Sequence, residues 1–211
     1  MRFWNRSERA GVNSTDWSSL QKVKRKGRLL SVLQSEAAKY TPDDLEIMMQ
    51  KYDGKIRTLP PDYRNELKKY ARIQITDGYN RMVTASLDKI HRKEKLAKTW
   101  AAFVRFVLRE CTAGNQRLRS LKYLIAAYAI YVEEKPPHPV GMPFPGGVAV
   151  ECFEGVYYCP VKDTWIDEES ALCRFCSAVQ SRERDMVLSK PEREAVGKEE
   201  KISNYFYNFK G

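Results

Sequence analysis

The chain contains only two histidines, His91 and His138, in 211 residues, so acid–base catalysis by imidazole has at most two places to occur. His91 lies in a charged helical stretch, Ile90-His91-Arg92-Lys93, and is expected at the surface. No Walker-type phosphate loop or dinucleotide-binding glycine pattern is present. The Gly/Pro-rich stretch from Gly141 to Gly147 does not replace one, because its prolines remove the backbone donors that cradle phosphate. The longest apolar run, Leu124 to Val132, has nine residues. That is about half of the ~20 needed to cross a bilayer, which excludes a membrane-spanning helix. Met1-Arg2-Phe3-Trp4-Asn5-Arg6 lacks the apolar block of a secretory signal, so a cytoplasmic location is expected. Disulfides are not expected in that compartment. There is no internal repeat, and none of the sequence-specific DNA- or RNA-binding motifs is visible.

What is present is an uneven distribution of charge. The chain carries 37 Lys+Arg against 27 Asp+Glu, a net +10, with 43% apolar residues, enough for a substantial core. Residues 1–135 hold 28 basic and 15 acidic side chains, whereas residues 136–180 hold 2 and 6, and residues 181–211 hold 7 and 6. Basic clusters occur at Lys22, Lys24, Arg25, Lys26 and Arg28; at Lys89, Arg92, Lys93, Lys95 and Lys98; and at Arg105, Arg109, Arg117, Arg119 and Lys122. Such surfaces attract nucleic acid or another polyanion through counterion release. The competing reading is a set of solvated helix faces, with Glu94 and Glu110 giving local pairing.

The front section reads as helices. Leu20, Val23, Leu30, Leu33 and Ala37 recur at helical steps, with one seven-residue gap. Thr41-Pro42-Asp43-Asp44 is a helix start, with a capping threonine, a proline for the first turn and acids for the positive end. The helix that follows is expected to stop near Asp53-Gly54. Leu59-Pro60-Pro61-Asp62 begins another, and Tyr63, Leu67, Tyr70 and Gln74 share a face. Thr76-Asp77-Gly78 is expected to bend or break it, after which helical spacing continues from Tyr79 to Ile90. Two further stripes run from Leu96 to Cys111, ended by Gly114, and from Leu118 to Val132, ended by Pro136-Pro137. Closely spaced helices of this kind point to an antiparallel bundle.

At Pro136 the texture changes, with five prolines and three glycines in the twelve residues to Gly147. Val148–Phe153 and Val156–Cys159 flank Glu154-Gly155 and read as a β-hairpin. Residues 170–180 suit a closing helix. The expected organisation is a flexible N-terminus (1–16), a basic helical domain (17–135), a Cys/His metal-binding lobe (136–180) and a polar tail (181–211). In that tail, Tyr205, Phe206, Tyr207 and Phe209 suggest docking.

Four of the five cysteines lie between residues 152 and 176. Cys173-Arg174-Phe175-Cys176 has the C-x-x-C spacing that lets two thiolates curl round one metal ion, and Cys159, at the end of a strand, supplies a third. The fourth ligand is His138, presented between Pro137 and Pro139, or Cys152, which a two-residue turn would set diagonally across from Cys159 on one sheet face. His138 is preferred. Zn²⁺ suits the Cys3His set, while an iron–sulfur cluster would use Cys152 as well. Cys111 continues an apolar helical stripe and reads as a core thiol. A thioredoxin-like pattern of strands and helices, which a redox C-x-x-C would need, is missing.

His138-Pro139-Val140-Gly141-Met142-Pro143-Phe144-Pro145-Gly146-Gly147, then Tyr158-Cys159-Pro160-Val161-Lys162, then Ala171-Leu172-Cys173-Arg174-Phe175-Cys176 resemble an uncharacterised archaeal protein family, mainly from methanogens, catalogued as domain of unknown function 2115. The resemblance implies an archaeal cytosol, places His138 and the three later cysteines, but not Cys152, in the shared motif, and carries no activity with it. A strictly anaerobic host would favour an iron–sulfur cluster. The sequence therefore points to a metal-binding module that assembles or binds, with a basic surface for nucleic acid. The rival is a redox or enzymatic protein with a cluster or an open zinc, which would activate water.

Overall fold

The computed structural model describes residues 15–111, 116–168 and 171–181. Nearly all of the expected N-terminal segment and polar tail, with its aromatic residues, lies outside the described residues, as does Gly114. The protein is mainly helical, with small β-sheets.

The apolar positions from Leu20 to Ala37 fall on two helices, α1 (Trp17–Leu20) and α2 (Lys26–Ala37), with Val23 between them. The break falls in the apolar gap, where a remote segment supplies the backbone partners: Lys26 N–H donates to Glu94 O at 3.0 Å and Leu96 N–H to Lys24 O at 3.1 Å. Helix α3 (Pro42–Ile56) starts as predicted, with a reciprocal capping box between Thr41 and Asp44. It continues through Gly54, where a stop was expected, because Tyr52 and Ile56 bury in a cluster with Leu59, Leu67 and Ala71. That burial outweighs the ~1 kcal/mol cost of one exposed glycine.

Helix α4 (Pro61–Arg72) passes through a π-helical turn (Ile73–Asp77) into α5 (Gly78–Thr84), so the expected disruption is a bulge and not a break. Gly78 is needed there, since a Cβ would stand 3.0 Å from Ile125 Cγ2. The helical spacing to Ile90 misleads: Ala85 is extended and Ile90 is 76% exposed. The side-chain amide of Gln34 donates to the carbonyls of Met82, Val83 and Ala85, at 3.1, 3.3 and 2.9 Å, and so satisfies the end of α5. Helices α6 (Trp100–Glu110) and α7 (Gln116–Tyr131) complete the helical part. Every residue from Tyr123 to Val132 is buried, which makes α7 the central helix.

Beyond α7, β1 (Pro143–Phe144) and β2 (Val148–Ala149) pair antiparallel, as do β3 (Glu151–Phe153) and β4 (Val156–Cys159). The predicted hairpin is present. Phe153 faces Val156 across Glu154 and Gly155, whose φ values of 49° and 78° are those of a tight primed turn. The predicted first strand is shared between two sheets. It divides at buried Val150, whose backbone exchanges hydrogen bonds with Gly141 and Met142. After α8 (Lys162–Trp165), the described part of the expected closing helix is instead a 3-10 turn (Cys173–Phe175) and β5 (Val179–Gln180), parallel to β4. Pairing of Tyr158 with Val179 and Cys159 with Gln180 draws this segment into the sheet and away from a helix.

Candidate functional site

A cavity of about 740 Å³ opens between α3, α4, α7 and the residues that follow α7. His138, Cys159, Cys173 and Cys176 all line it. Cys152 does not: it sits exposed in β3, although the two-residue turn does give it the same facing as Cys159. Cys111 is half-buried against the main core with its sulfur 3.7 Å from Ser120 Oγ, in keeping with a core role. His91 is exposed, its Nδ1 2.6 Å from Asp88 Oδ2.

Each sequence-predicted group is positioned by local backbone. Cys159 ends β4, and the N–H groups of Val161 and Lys162 turn back towards its sulfur. Ala178 N–H donates to Cys176 Sγ at 3.4 Å. Burial pushes both thiols up, and these N–H groups act in the opposite direction by favouring the thiolate. Cys176 packs in the small cluster formed by Cys159, Val161 and Ala178. The Lys162 ammonium, buried in α8, donates to the carbonyl of Cys173 and, at 2.9 Å, to that of Cys176, clamping the C-x-x-C turn. His138 stands edge-on to Phe144, ring centroids 5.7 Å apart. Burial, with the Lys122 charge beside it, pushes its pKa down to about 4, so its imidazole is neutral. An imidazole and cysteine sulfurs, which bind the ion as thiolates, are donor types that suit Zn²⁺. As their side chains stand, however, no three His, Cys, Asp or Glu among the described residues are grouped to hold a metal ion.

Phe175, inside the C-x-x-C, points the other way. Its ring contacts Phe103 and Phe106, each with centroids 5.4 Å away, and so anchors the cysteine turn in the helical core.

The sequence reading missed Lys51 and Lys55, from α3, in the cavity wall, and counted Arg119 and Lys122, from α7, only in a basic cluster without placing them there. A signal for the last two was available, since a charged residue in a helix that is apolar on every side must face something internal. Elsewhere the first two basic clusters come together, because the backbone bonds at Lys24, Lys26, Glu94 and Leu96 lay residues 22–28 beside residues 89–98. Lys26 itself is buried and bridges Glu94 at 2.5 Å and Glu134 at 2.8 Å, so it is not part of the accessible charge. Arg117 is also taken up, by Asp44.

Fold and site together define a mainly helical protein whose four metal-ligand candidates line one cavity. The chain belongs to a family described as an uncharacterised protein conserved in archaea, DUF2115, whose model matches residues 25–181. It is 31% identical over 162 residues to a UPF0305 protein of Methanothermobacter thermautotrophicus, covering 74% of this chain and 96% of that one. A UPF0305 protein of Methanocaldococcus jannaschii is 28% identical over 152 residues, covering 70% and 92%. No solved structure matches. No helix among the described residues is long and apolar enough to cross a membrane.

Proposed function

We propose that this protein is a metal-stabilised binding module in which Cys159, Cys173, Cys176 and His138 hold one Zn²⁺. The observation that carries the reading is that all four, remote in sequence, line one cavity. The backbone N–H groups aimed at Cys159 and Cys176 add support. The ion would draw together groups that the apolar contacts of Val161, Ala178 and Phe175 only bring near one another. Its contribution would be to folding, since its ligands close a segment with little regular structure. Metal analysis and an absorption spectrum of the anaerobically purified full chain test this. One zinc per chain is expected, lost in Cys173→Ser and Cys176→Ser and kept in Cys152→Ser. A metal-free preparation, or zinc unaffected by those changes, overturns it. Visible absorbance with bound iron would replace zinc by a cluster.

The union of residues 22–28 with 89–98 favours a second role for the surface. Lys22, Lys24, Arg25 and Arg28 lie with Lys89, Arg92, Lys93, Lys95 and Lys98 as exposed cations on neighbouring segments. We propose that this face contacts nucleic acid through its phosphates without reading sequence.

A further inference from the structure

Both faces of the β3–β4–β5 sheet are apolar, and the described residues bury only one of them. Phe153 stands opposite Val156, and Tyr158 opposite both Glu151 and Val179, so Phe153, Val156, Tyr158 and Val179 share a face. Tyr157 and Cys159 point to the other side, into the cluster with Val161 and Ala178. A sheet face left to water is ordinarily polar. Here Phe153 is 66% exposed, Val156 43% and Val179 46%. Apolar side chains that adjoin one another in this way mark a docking surface, unlike the scattered single residues of an ordinary exterior.

The same chain supplies a partner for it. Residues 182–211 lie outside the described residues, and the chain enters them from this sheet: Val179 belongs to the exposed face, and Ser181 N–H donates to Cys159 O at 3.1 Å. Among them is Tyr205-Phe206-Tyr207-Asn208-Phe209, the densest aromatic run in the sequence. The 23 residues between Ser181 and Tyr205 can span at most about 80 Å, several times the ~10 Å width of three strands. Reach is therefore not limiting, and the tether raises the effective concentration of the rings at the sheet. Charge fits as well. Glu151, on the apolar face, and Glu154, at the turn, are exposed carboxylates. Lys201 and Lys210 bracket the aromatic run, and residues 201–211 contain no acid. A second copy docking through the same face would instead set these carboxylates against their own kind.

We propose that residues 205–209 dock on the face formed by Phe153, Val156, Tyr158 and Val179, with Lys201 and Lys210 meeting Glu151 and Glu154. The docked segment closes the outer side of the strand that carries Cys159, and it needs no metal ion. Such a contact is local and adds little to global unfolding, so proximity is the readout.

The full chain with p-benzoylphenylalanine in place of Phe153, irradiated at micromolar concentration, tests this by gel electrophoresis and tryptic mass spectrometry. A crosslink within one chain, from position 153 to the peptide that contains residues 205–209, is expected. Its yield should fall by roughly fivefold or more when Tyr205, Phe206, Tyr207 and Phe209 are all changed to Ser. Lys201→Glu combined with Lys210→Glu should lower it by roughly twofold or more. Circular dichroism shows whether the variants are folded. The same photoreactive residue in place of Ile90, 76% exposed in a charged segment, should not capture that peptide. A product at twice the chain mass would assign the face to a second copy and overturn the proposal. So would the absence of a crosslink to residues 205–209, equal capture from position 90, or a yield unaltered in either folded variant.

Discussion

Replacing Phe175 by alanine tests whether the cysteine turn is held by the helical core. The ring is 7% exposed and packs edge-on to Phe103 and obliquely to Phe106. Arg174 lays its guanidinium 5.5 Å from the same ring and 5.7 Å from that of Phe106. Truncating a buried phenylalanine costs about 3–5 kcal/mol from lost transfer energy and the void left behind. Phe175 sits on a short 3-10 turn that can settle into part of the gap, so the lower end, about 3 kcal/mol, is expected. For a chain of this size that lowers Tm by roughly 6–12 °C. Phe175→Leu keeps most of the volume and should cost about 1 kcal/mol. Phe153→Ala, at a ring 66% exposed, should cost less than about 0.5 kcal/mol. Urea unfolding followed by far-ultraviolet circular dichroism gives the energies, and the rate of thiol modification at Cys173 and Cys176 gives the local effect. A loss below about 1 kcal/mol in Phe175→Ala, with thiol reactivity unchanged, would refute the claim that this ring joins the turn to the core.

Other expectations concern distinct parts of the molecule. Burial alone would raise the Asp44 carboxyl, but two hydrogen bonds from Arg117, at 2.8 and 2.7 Å, and one from Thr41 N–H at 2.8 Å hold it below its ordinary range. Tyr40 and Tyr79 are the other titratable groups coupled to it. Its stabilising effect is therefore complete above about pH 4, the unfolded value, and is lost as pH falls through the lower folded value. Asp44→Asn should cost about 2 kcal/mol at neutral pH and flatten the acid limb of the urea-midpoint profile; an unchanged limb would contradict this. Gly141 has φ of +84°, and a Cβ there would stand 2.4 Å from Tyr70 Oη, so Gly141→Ala should destabilise by about 1–3 kcal/mol in urea unfolding. An unaltered midpoint would show that Tyr70 swings away without cost. If residues 22–28 and 89–98 meet phosphates, log Kd for a generic duplex against log salt is linear. Lys24→Gln and Lys95→Gln should then each reduce the slope by about one; equal slopes in all three proteins would remove the second proposed role.

The sequence alone determined whatever depends on near neighbours. The Thr41–Asp44 capping box, the primed turn at Glu154-Gly155 and the apolar stripes of α6 and α7 are each decided within a few residues, by donor satisfaction, backbone sterics or helical period. The motif of His138, Cys159, Cys173 and Cys176 was legible for the same reason, as spacing and residue type. Tertiary structure decided the rest, because the deciding partner lies far along the chain. The gap before α2 is filled by Glu94 and Leu96, α5 ends where Gln34 reaches its carbonyls, and the segment after the C-x-x-C pairs with β4 in place of coiling. The same holds for the cavity. Lys51 and Lys55 look like solvated positions on α3, and only the packing of α3 near α7 sets them beside Arg119 and Lys122. Charge along a chain is additive, but charge facing a shared space depends on which helices meet.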